Sequence, residues 1–259
     1  MKTIRTIAEL RRALEPFRDG SVVGLVPTMG ALHAGHEALF RAARAECDVV
    51  VASLFVNPAQ FSDSGDLDAY PRDLAHDEAV ATAAGVDFLF APSAAELYPP
   101  GFATWVVPEG AADGLEGALR PGHFRGVATV CLKLFQIVRP SLAFFGRKDA
   151  QQVAVVKQLV RDLDLELEIR AVPTVRDEDG LALSSRNERL SPEERARALA
   201  IPRAVATRDP ARARAILTEA GIEPEYVAVA DLDGPTLAVA ANVGETRLID
   251  NVPLEGDLR

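Results

Sequence analysis

The chain has 259 residues, of which 48% are hydrophobic and 25% charged, a balance typical of a protein with a buried core and not of a disordered one. Its 28 basic and 38 acidic side chains give a formal net charge of −10, which disfavours nucleic acid as a partner. The N-terminus lacks the apolar core of a signal peptide, and no apolar run is long enough to span a membrane. We therefore expect a cytoplasmic protein with no membrane partner, whose Cys47 and Cys131 are buried thiols.

Predicted strands and helices alternate through the first two thirds of the chain. A capping signal at Thr6 opens the first helix, and Gly20 ends that segment. Apolar runs predict strands at 22–26, 49–56, 86–90, 142–145 and 165–172, and helical periodicity predicts helices at 37–45, 75–84, 127–138 and 150–163. This alternation is typical of parallel βαβ units, so we predict an α/β fold with a sheet buried on both faces.

The rhythm changes near Pro173. Residues 175–187 are polar, and Ser191-Pro192 then has the form of a helix start. Two helical stretches and two strand-like pieces, 226–229 and 236–240, make up the remainder. We predict a first domain at 1–174 and a smaller α+β domain at 175–259.

The segment PTMGALHAGH follows the first predicted strand and carries two histidines, His33 and His36. Ligands of open α/β sheets bind beyond the carboxyl ends of strands, and glycines such as Gly30 and Gly35 permit close backbone approach. A helix that starts near His36 offers amides to a phosphate, and imidazolium side chains stabilise the charge that grows as a phosphoanhydride breaks. Two packing histidines on a surface turn would give the same short pattern. The position after a predicted buried strand, with two glycines and a preceding Pro-Thr, favours a nucleotide site.

Three further clusters are polar: two follow predicted strands, and the third lies in the polar segment 175–187. Asn57 and Gln60 lie in NPAQF and suit a carboxylate or hydroxyl substrate, although an Asn-Pro turn alone is commonly structural. Lys148 in GRKDAQQ can neutralise phosphate charge, and a solvated helix start is the alternative interpretation. The Ser-Ser-Arg run that ends at Arg186 fits a phosphate clamp, and an exposed hinge loop is the alternative interpretation. No P-loop motif is present.

Together these clusters resemble the pantoate–β-alanine ligase family. The matching blocks are PTMGALHAGH, SLFVNPAQF, DAYPRDL, RPGHFRGVATVCLKLFQIVRP, FFGRKDAQQ, VPTVRDEDGLALSSRN and TRLIDN, which cover most of the chain. The resemblance implies a Rossmann-like, nucleotidyltransferase-type domain with a smaller C-terminal lid domain, and dimerisation through the first domain. It also implies that pantoate is adenylated by ATP with Mg²⁺ and that the amine of β-alanine then displaces AMP.

Site residues follow from the resemblance by position in these blocks. It implies catalytic roles for His36 as the proton donor, and for His33, Lys148 and Arg186. The implied substrate-binding residues are Gln60, Gln152 and Asn57. The implied ATP-binding residues are Met29, Gly30, Ala31, Leu32, His33, Ala34, Gly35, His36, Gly146, Arg147, Lys148, Asp149, Val175, Leu183, Ser184, Ser185 and Arg186. No magnesium ligand can be assigned.

Two positions depart from the family pattern. Arg147 stands where Glu is usual, and Ala150 where Tyr is usual. The C-terminal region is also short for the family, through loss of helical residues around 205–215. Two other functions compete: an H-x-G-H nucleotidyltransferase acting on a phosphorylated metabolite, which would need more cations than NPAQF provides, and a non-catalytic nucleotide-sensing module, which would tolerate loss of His36 or Lys148.

Overall fold

The computed structural model describes residues 1–61 and 64–255, so the last four residues of the predicted second domain lie outside it. The chain divides into two compact units. The first comprises Met1–Leu32, His36–Phe145 and Ala154–Val172, and the second comprises His33–Gly35, Gly146–Val153 and Pro173–Arg259. Two short segments from the predicted first domain, both from candidate nucleotide motifs, therefore group with the second unit.

The helices and strands have the following bounds. The strands are β1 Lys2–Ile4, β2 Val23–Thr28, β3 Val49–Leu54, β4 Phe88–Phe90, β5 Leu142–Gly146, β6 Glu168–Val172, β7 Pro224–Asp231, β8 Pro235–Val243 and β9 Thr246–Pro253. The helices are α1 Ile7–Leu14, α2 Ala34–Glu46, α3 Ser64–Asp68, α4 Leu74–Ala83, α5 Ala94–Leu97, α6 Leu115–Leu119, α7 His123–Val138, α8 Ala150–Asp162, α9 Pro192–Ala198, α10 Ala200–Ala206 and α11 Pro210–Glu219.

The first unit is built on a six-stranded sheet in the order β1-β4-β3-β2-β5-β6. The pairs β1–β4, β4–β3, β3–β2 and β2–β5 are parallel, which confirms the predicted fold class. The central strands are continuous apolar runs because helices cover both of their faces. Val26, Val50, Ala52 and Phe144 lie in a core against α2 residues such as Phe40.

Strand order reverses between β2 and β5. The chain passes from β2 to β3 on one side, and β5 pairs with β2 on the other side through Gly24 and Leu25. The carboxyl ends of β2 and β5 therefore flank the topological switch point, where open α/β sheets bind ligands. The PTMGALHAGH motif overlaps the end of β2 and continues beyond it, and GRKD does the same at the end of β5.

Helix starts differ from the predictions in two places. α2 begins at Ala34 and not near residue 37, so His36 lies within its first turn. α7 begins at His123, four residues before the predicted start and directly after Gly122, whose φ of 82° lies in the left-handed region. The polar stretch 91–122 contains α5 and α6, which are too short to give a periodic signal.

The second unit contains the antiparallel sheet β7-β8-β9 and the helices α9 to α11. Ser191 caps α9, as the sequence predicts, and the structure adds a complete capping box with Glu194. The core joins Ile201 and Leu217 to apolar side chains of β8 and β9. β9 was not predicted as a strand because Asp250 and its polar neighbours interrupt the apolar alternation.

The short region around 205–215 forms a complete connection. α10 ends at Ala206, and Asp209 caps α11 by accepting hydrogen bonds from the backbone N–H groups of Ala211 and Arg212. The Thr207 hydroxyl bridges the two ends, since it donates to the Ala204 carbonyl and accepts from the Asp209 backbone. Both helices are therefore properly terminated despite the short connection.

Both cysteines are buried and not disulfide-bonded, which confirms that prediction. In the described ranges, no helix is both long and apolar enough to cross a membrane.

Candidate functional site

The loop after β2 is held in an unusual backbone conformation. Gly30 and Ala31 have φ values of 90° and 51°, in the left-handed region that favours glycine. The Asp77 carboxylate accepts hydrogen bonds from the backbone N–H groups of Leu32 at 2.7 Å and Ala31 at 3.2 Å. Nε2 of His76 lies 3.1 Å from the Leu32 carbonyl oxygen. The start of α4 therefore fixes the backbone of the predicted ATP loop.

Asp77 was not among the predicted site residues. Asp77 is 1% exposed, although most other residues of its helix are exposed or half-buried. A buried carboxylate needs compensating donors, and the two backbone N–H groups supply them. No sequence signal identifies this role, because one acidic residue on a polar helix is normally solvated.

Gln60 and Asn57 form a buried carboxamide pair after β3. Asn57 Nδ2 donates to Gln60 Oε1 at 3.0 Å, and Gln60 Nε2 lies 3.1 Å from the Met29 sulfur. Asn57 is 1% exposed: its Nδ2 also donates to the Gly126 carbonyl oxygen, and its Oδ1 accepts from the Tyr98 hydroxyl and the Ala59 N–H. Asn57 is thus engaged by protein groups and orients Gln60 beside the loop after β2.

The N-terminal end of α7 supports the same turn. Nδ1 of His123 lies 3.0 Å from the Gln60 carbonyl oxygen, and His123 is buried. A Cβ atom at Gly126 would lie 2.3 Å from the Ala59 carbonyl oxygen, so only glycine permits this approach of helix to turn. The RPGHFRG block therefore has a structural role here.

A cavity of about 440 Å³ lies beside Met29, a volume within the range of small-molecule pockets. Its lining includes Leu54, Pro58, Arg72 and Asp77. Met29 and Asp77 thus belong to both the cavity wall and the loop after β2.

In the second unit, His33 and Gly35 form the turn that opens α2. The Gly35 backbone N–H donates to Nδ1 of His33 at 3.1 Å. Because a backbone nitrogen is always the donor, Nδ1 is unprotonated and the neutral ring carries its proton on Nε2. A Cβ atom at Gly35 would lie 2.8 Å from Cε1 of His33, so glycine is needed for the ring to fold over this turn.

Electrostatics also favour a neutral His33. Burial lowers the pKa of His33 below its ordinary value of 6.5, and the positive charge of Lys148 lowers it further against Glu188 and Asp149. Both observations favour a neutral His33 ring that carries its proton on Nε2 in this structure. His36 is half-buried in the first turn of α2.

The turn after β5 is held by Asn251 of β9. Asn251 Nδ2 donates to the carbonyl oxygens of Arg147 and Lys148 at 3.0 and 2.9 Å. The Lys148 side chain is 20% exposed, with its Nζ 3.9 Å from the Asp149 carboxylate. The Lys148 side chain is thus partly exposed, and Asn251 anchors the backbone that carries it.

The Arg147 side chain is directed to a different part of the second unit. Its Nη1 lies 3.3 Å from the Asp233 carboxylate, and its Nη2 donates to the Asp233 carbonyl oxygen at 3.4 Å. Arg147 therefore anchors the β7–β8 turn, and Ala150, the other departure, is buried at the start of α8. Gln152 is half-buried on α8.

The segment 175–183 is a hairpin that leads into the Ser-Ser-Arg run. The Leu183 N–H donates to the Val175 carbonyl at 3.0 Å. Arg176 forms a bidentate pair with Asp250, with N–O distances of 2.7 and 3.0 Å. The Ser184 hydroxyl accepts from the Arg186 N–H at 3.3 Å and caps a short 3-10 helix, Ser185–Arg189. Asp250 and Asn251 belong to the TRLIDN block, for which the sequence predicts no role.

The structure brings the predicted residues together within each unit. Met29, Gly30, Ala31, Leu32, Asn57 and Gln60 meet in the first unit, whereas the second unit contains the His33 turn, the turn after β5 and the hairpin. Within residues 1–61 and 64–255, no group of three or more His, Cys, Asp or Glu side chains is arranged to hold a metal ion.

Comparisons with known proteins agree on one family. A family model described as pantoate-beta-alanine ligase matches residues 2–253. A pantothenate synthetase of Rhizorhabdus wittichii is 51% identical, with 98% of this chain and 99% of the relative covered. The corresponding values for a pantothenate synthetase of Chloroflexus aurantiacus are 49%, 99% and 99%.

Solved structures give the same result. The pantothenate synthetase of Thermus thermophilus has a TM-score of 0.92 at 46% identity, over 99% of this chain and 100% of that one. The pantoate-beta-alanine ligase of Francisella tularensis, crystallised with beta-gamma ATP and beta-alanine, has a TM-score of 0.90 at 36% identity, over the full length of both chains.

Proposed function

Because this chain belongs to the pantoate–β-alanine ligase family, we propose that the clusters around Gln60 and His33 carry out that family's reaction. The chain is an ATP-dependent ligase that joins pantoate to β-alanine and releases AMP and pyrophosphate. In the first step a pantoate carboxylate oxygen attacks the α-phosphorus and pyrophosphate leaves. In the second, the β-alanine amine attacks the acyl carbon of the adenylate, a C–N bond forms, and the C–O bond to AMP breaks.

The observation that carries the proposal is the Asn57–Gln60–Met29 arrangement. An uncharged carboxamide, 8% exposed and oriented by Asn57, lies beside the loop after β2. A carboxamide donates to a carboxylate or hydroxyl and adds no charge of its own. This favours pantoate over a phosphorylated acceptor, for which cations would be needed. We assign Gln60 and Gln152 to substrate binding and Asn57 to positioning Gln60.

The phosphate charge that develops in adenylation needs donors and cations more than a covalent nucleophile. Neutral His33 donates through Nε2, a role that its Nδ1 contact with Gly35 and its lowered pKa support. His36 at the start of α2 serves as proton donor, where helix amides also favour an anion. Lys148 and Arg186 supply positive charge.

The ATP-binding residues follow from the same clusters. Arg147 contributes through its backbone, since its guanidinium is held by Asp233. The full set that we propose to contact ATP is Met29, Gly30, Ala31, Leu32, His33, Ala34, Gly35, His36, Gly146, Arg147, Lys148, Asp149, Val175, Leu183, Ser184, Ser185 and Arg186.

Magnesium is proposed to arrive with ATP. Mg²⁺ typically keeps several waters and binds substrate phosphates with few protein carboxylates, so it needs no preformed protein cage. When bound, it would neutralise phosphate charge.

We further propose that the chain forms a homodimer through its first unit, which a molar-mass measurement by light scattering would test, and that it works in the cytoplasm.

The decisive experiment is a two-stage assay with the purified chain. ATP and pantoate alone should release pyrophosphate, and added β-alanine should release AMP and produce pantothenate by mass spectrometry. His36→Ala should strongly depress the rate of pyrophosphate release and leave the free energy of unfolding nearly unchanged. Turnover with a phosphorylated acceptor, without AMP release on β-alanine, would contradict the proposal.

A further inference from the structure

Asp250 and Asn251 are neighbours on the last strand, and each holds a different loop of the second unit. Both side chains are buried, at 1% and 6% exposed. Successive side chains of a strand point to opposite faces of the sheet. Asp250 shares its face with Leu248 and Val252, which lie in the helix-covered core, so Asn251 points to the other face.

On the core face, Asp250 binds the hairpin 175–183. Both its oxygens accept from Arg176, and Oδ1 also accepts from the Asn251 N–H at 2.8 Å. Nη1 of Arg176 additionally donates to the Gly180 carbonyl at 3.0 Å. The ion pair therefore fixes both the start of the hairpin, next to Val175, and its tip.

On the opposite face, Asn251 binds the turn after β5. One Nδ2 group donates to two successive carbonyl oxygens, those of Arg147 and Lys148. Two converging acceptors suit a donor with two hydrogens at one atom, which a carboxamide provides and a carboxylate or hydroxyl does not. The pattern therefore favours the carboxamide of Asn251 over an acidic or hydroxyl side chain.

We propose that Asp250 and Asn251 are positioning residues that fix the hairpin and the turn relative to one another for nucleotide binding. Since the two side chains leave adjacent Cα atoms of a strand paired with β8 through Ala238 and Val239, the spacing between the loops is set by one rigid backbone step. This inference rests on the proposed function, which assigns Val175, Leu183 and residues 146–149 to ATP. Neither side chain touches the reacting atoms in this role.

The test is Asn251→Ala, with Asn242→Ala as the matched control. Asn242 lies in the same sheet but is exposed, and its carboxamide donates to the Glu225 side chain at 3.0 Å. Loss of the two hydrogen bonds should raise KM for ATP about tenfold in Asn251→Ala, while KM for β-alanine and the control stay within about twofold. Asp250→Asn, which keeps the shape but removes the charge, should also raise KM for ATP.

A lowered Tm with an unchanged KM for ATP would overturn the proposal, because it would show a purely structural role. If Asn251→Ala does not fold, Asn251→Ser provides a smaller polar substitute for the same comparison. Binding of a non-hydrolysable ATP analogue, measured by calorimetry, separates this inference from the proposed function. If the unsubstituted chain shows no ligase activity but Asn251→Ala still lowers its affinity for the analogue about tenfold, the proposed function is contradicted and the positioning role is supported.

Discussion

Asp77→Asn tests whether the start of α4 sets the conformation of the ATP loop. The carboxylate accepts from the backbone N–H groups of Leu32 at 2.7 Å and Ala31 at 3.2 Å. Asparagine keeps one acceptor oxygen, but its amide group then faces the other N–H, so one charge-assisted bond is lost and a donor meets a donor. Bonds to charged groups contribute about 1.5–3 kcal/mol, and we expect the free energy of unfolding to fall by about that amount.

The functional effect should exceed the effect on stability. Gly30 and Ala31 have positive φ values, and without the carboxylate this backbone relaxes towards ordinary conformations. We therefore expect pyrophosphate release to fall at least tenfold under conditions in which the variant remains folded. Urea unfolding and the pyrophosphate assay measure the two effects on one preparation.

Asp73→Asn is the matched control. Asp73 lies four residues earlier and caps the same helix by accepting from the His76 N–H at 3.0 Å. Asparagine is an equally good N-cap, so stability should change by less than about 0.5 kcal/mol and activity should be retained. Equal behaviour of the two variants would refute the argument that Asp77 organises the loop.

Three further predictions follow from the structure. Arg147→Glu introduces the residue usual in the family and should destabilise the fold by about 1 kcal/mol, measured by thermal unfolding, because the new carboxylate faces Asp233. Adding Asp233→Asn to this variant should restore the lost stability. If it does not, the destabilisation does not come from repulsion between positions 147 and 233. The pKa of His33 is lowered from 6.5 by burial, so between this lowered pKa and pH 6.5 the unfolded chain binds a proton that the folded chain does not. The free energy of unfolding should therefore decrease as the pH falls from 6.5 to the lowered pKa. Urea titrations at several pH values should show less of this decrease in His33→Gln, and identical pH slopes for the two proteins would exclude the effect. Burial raises the pKa of Cys47 to about 11 and of Cys131 to about 12, so both should resist a disulfide reagent at pH 8 until urea is added, whereas rapid labelling of the folded chain would disprove their burial.

Local patterns in the sequence determined much of this protein. Apolar runs gave β2, β3 and β5, and the Ser191 capping signal located α9, because strand burial and helix caps depend on residues close in the chain. The histidine motif and NPAQF follow the ends of β2 and β3, as the sequence predicts, and the carboxyl ends of parallel strands meet at one edge of a sheet.

Contacts between distant segments were decided only by the tertiary structure. Asp77 lies 45 residues from Leu32, and Asn251 lies 104 residues from Arg147, so neither pairing leaves a trace in local sequence. β9 escaped prediction for the same reason: its buried Asp250 and Asn251 resemble exposed polar residues until Arg176 and the carbonyl groups of the turn after β5 are placed against them. A buried polar group is stable only with its partner, and the partner is supplied by the fold.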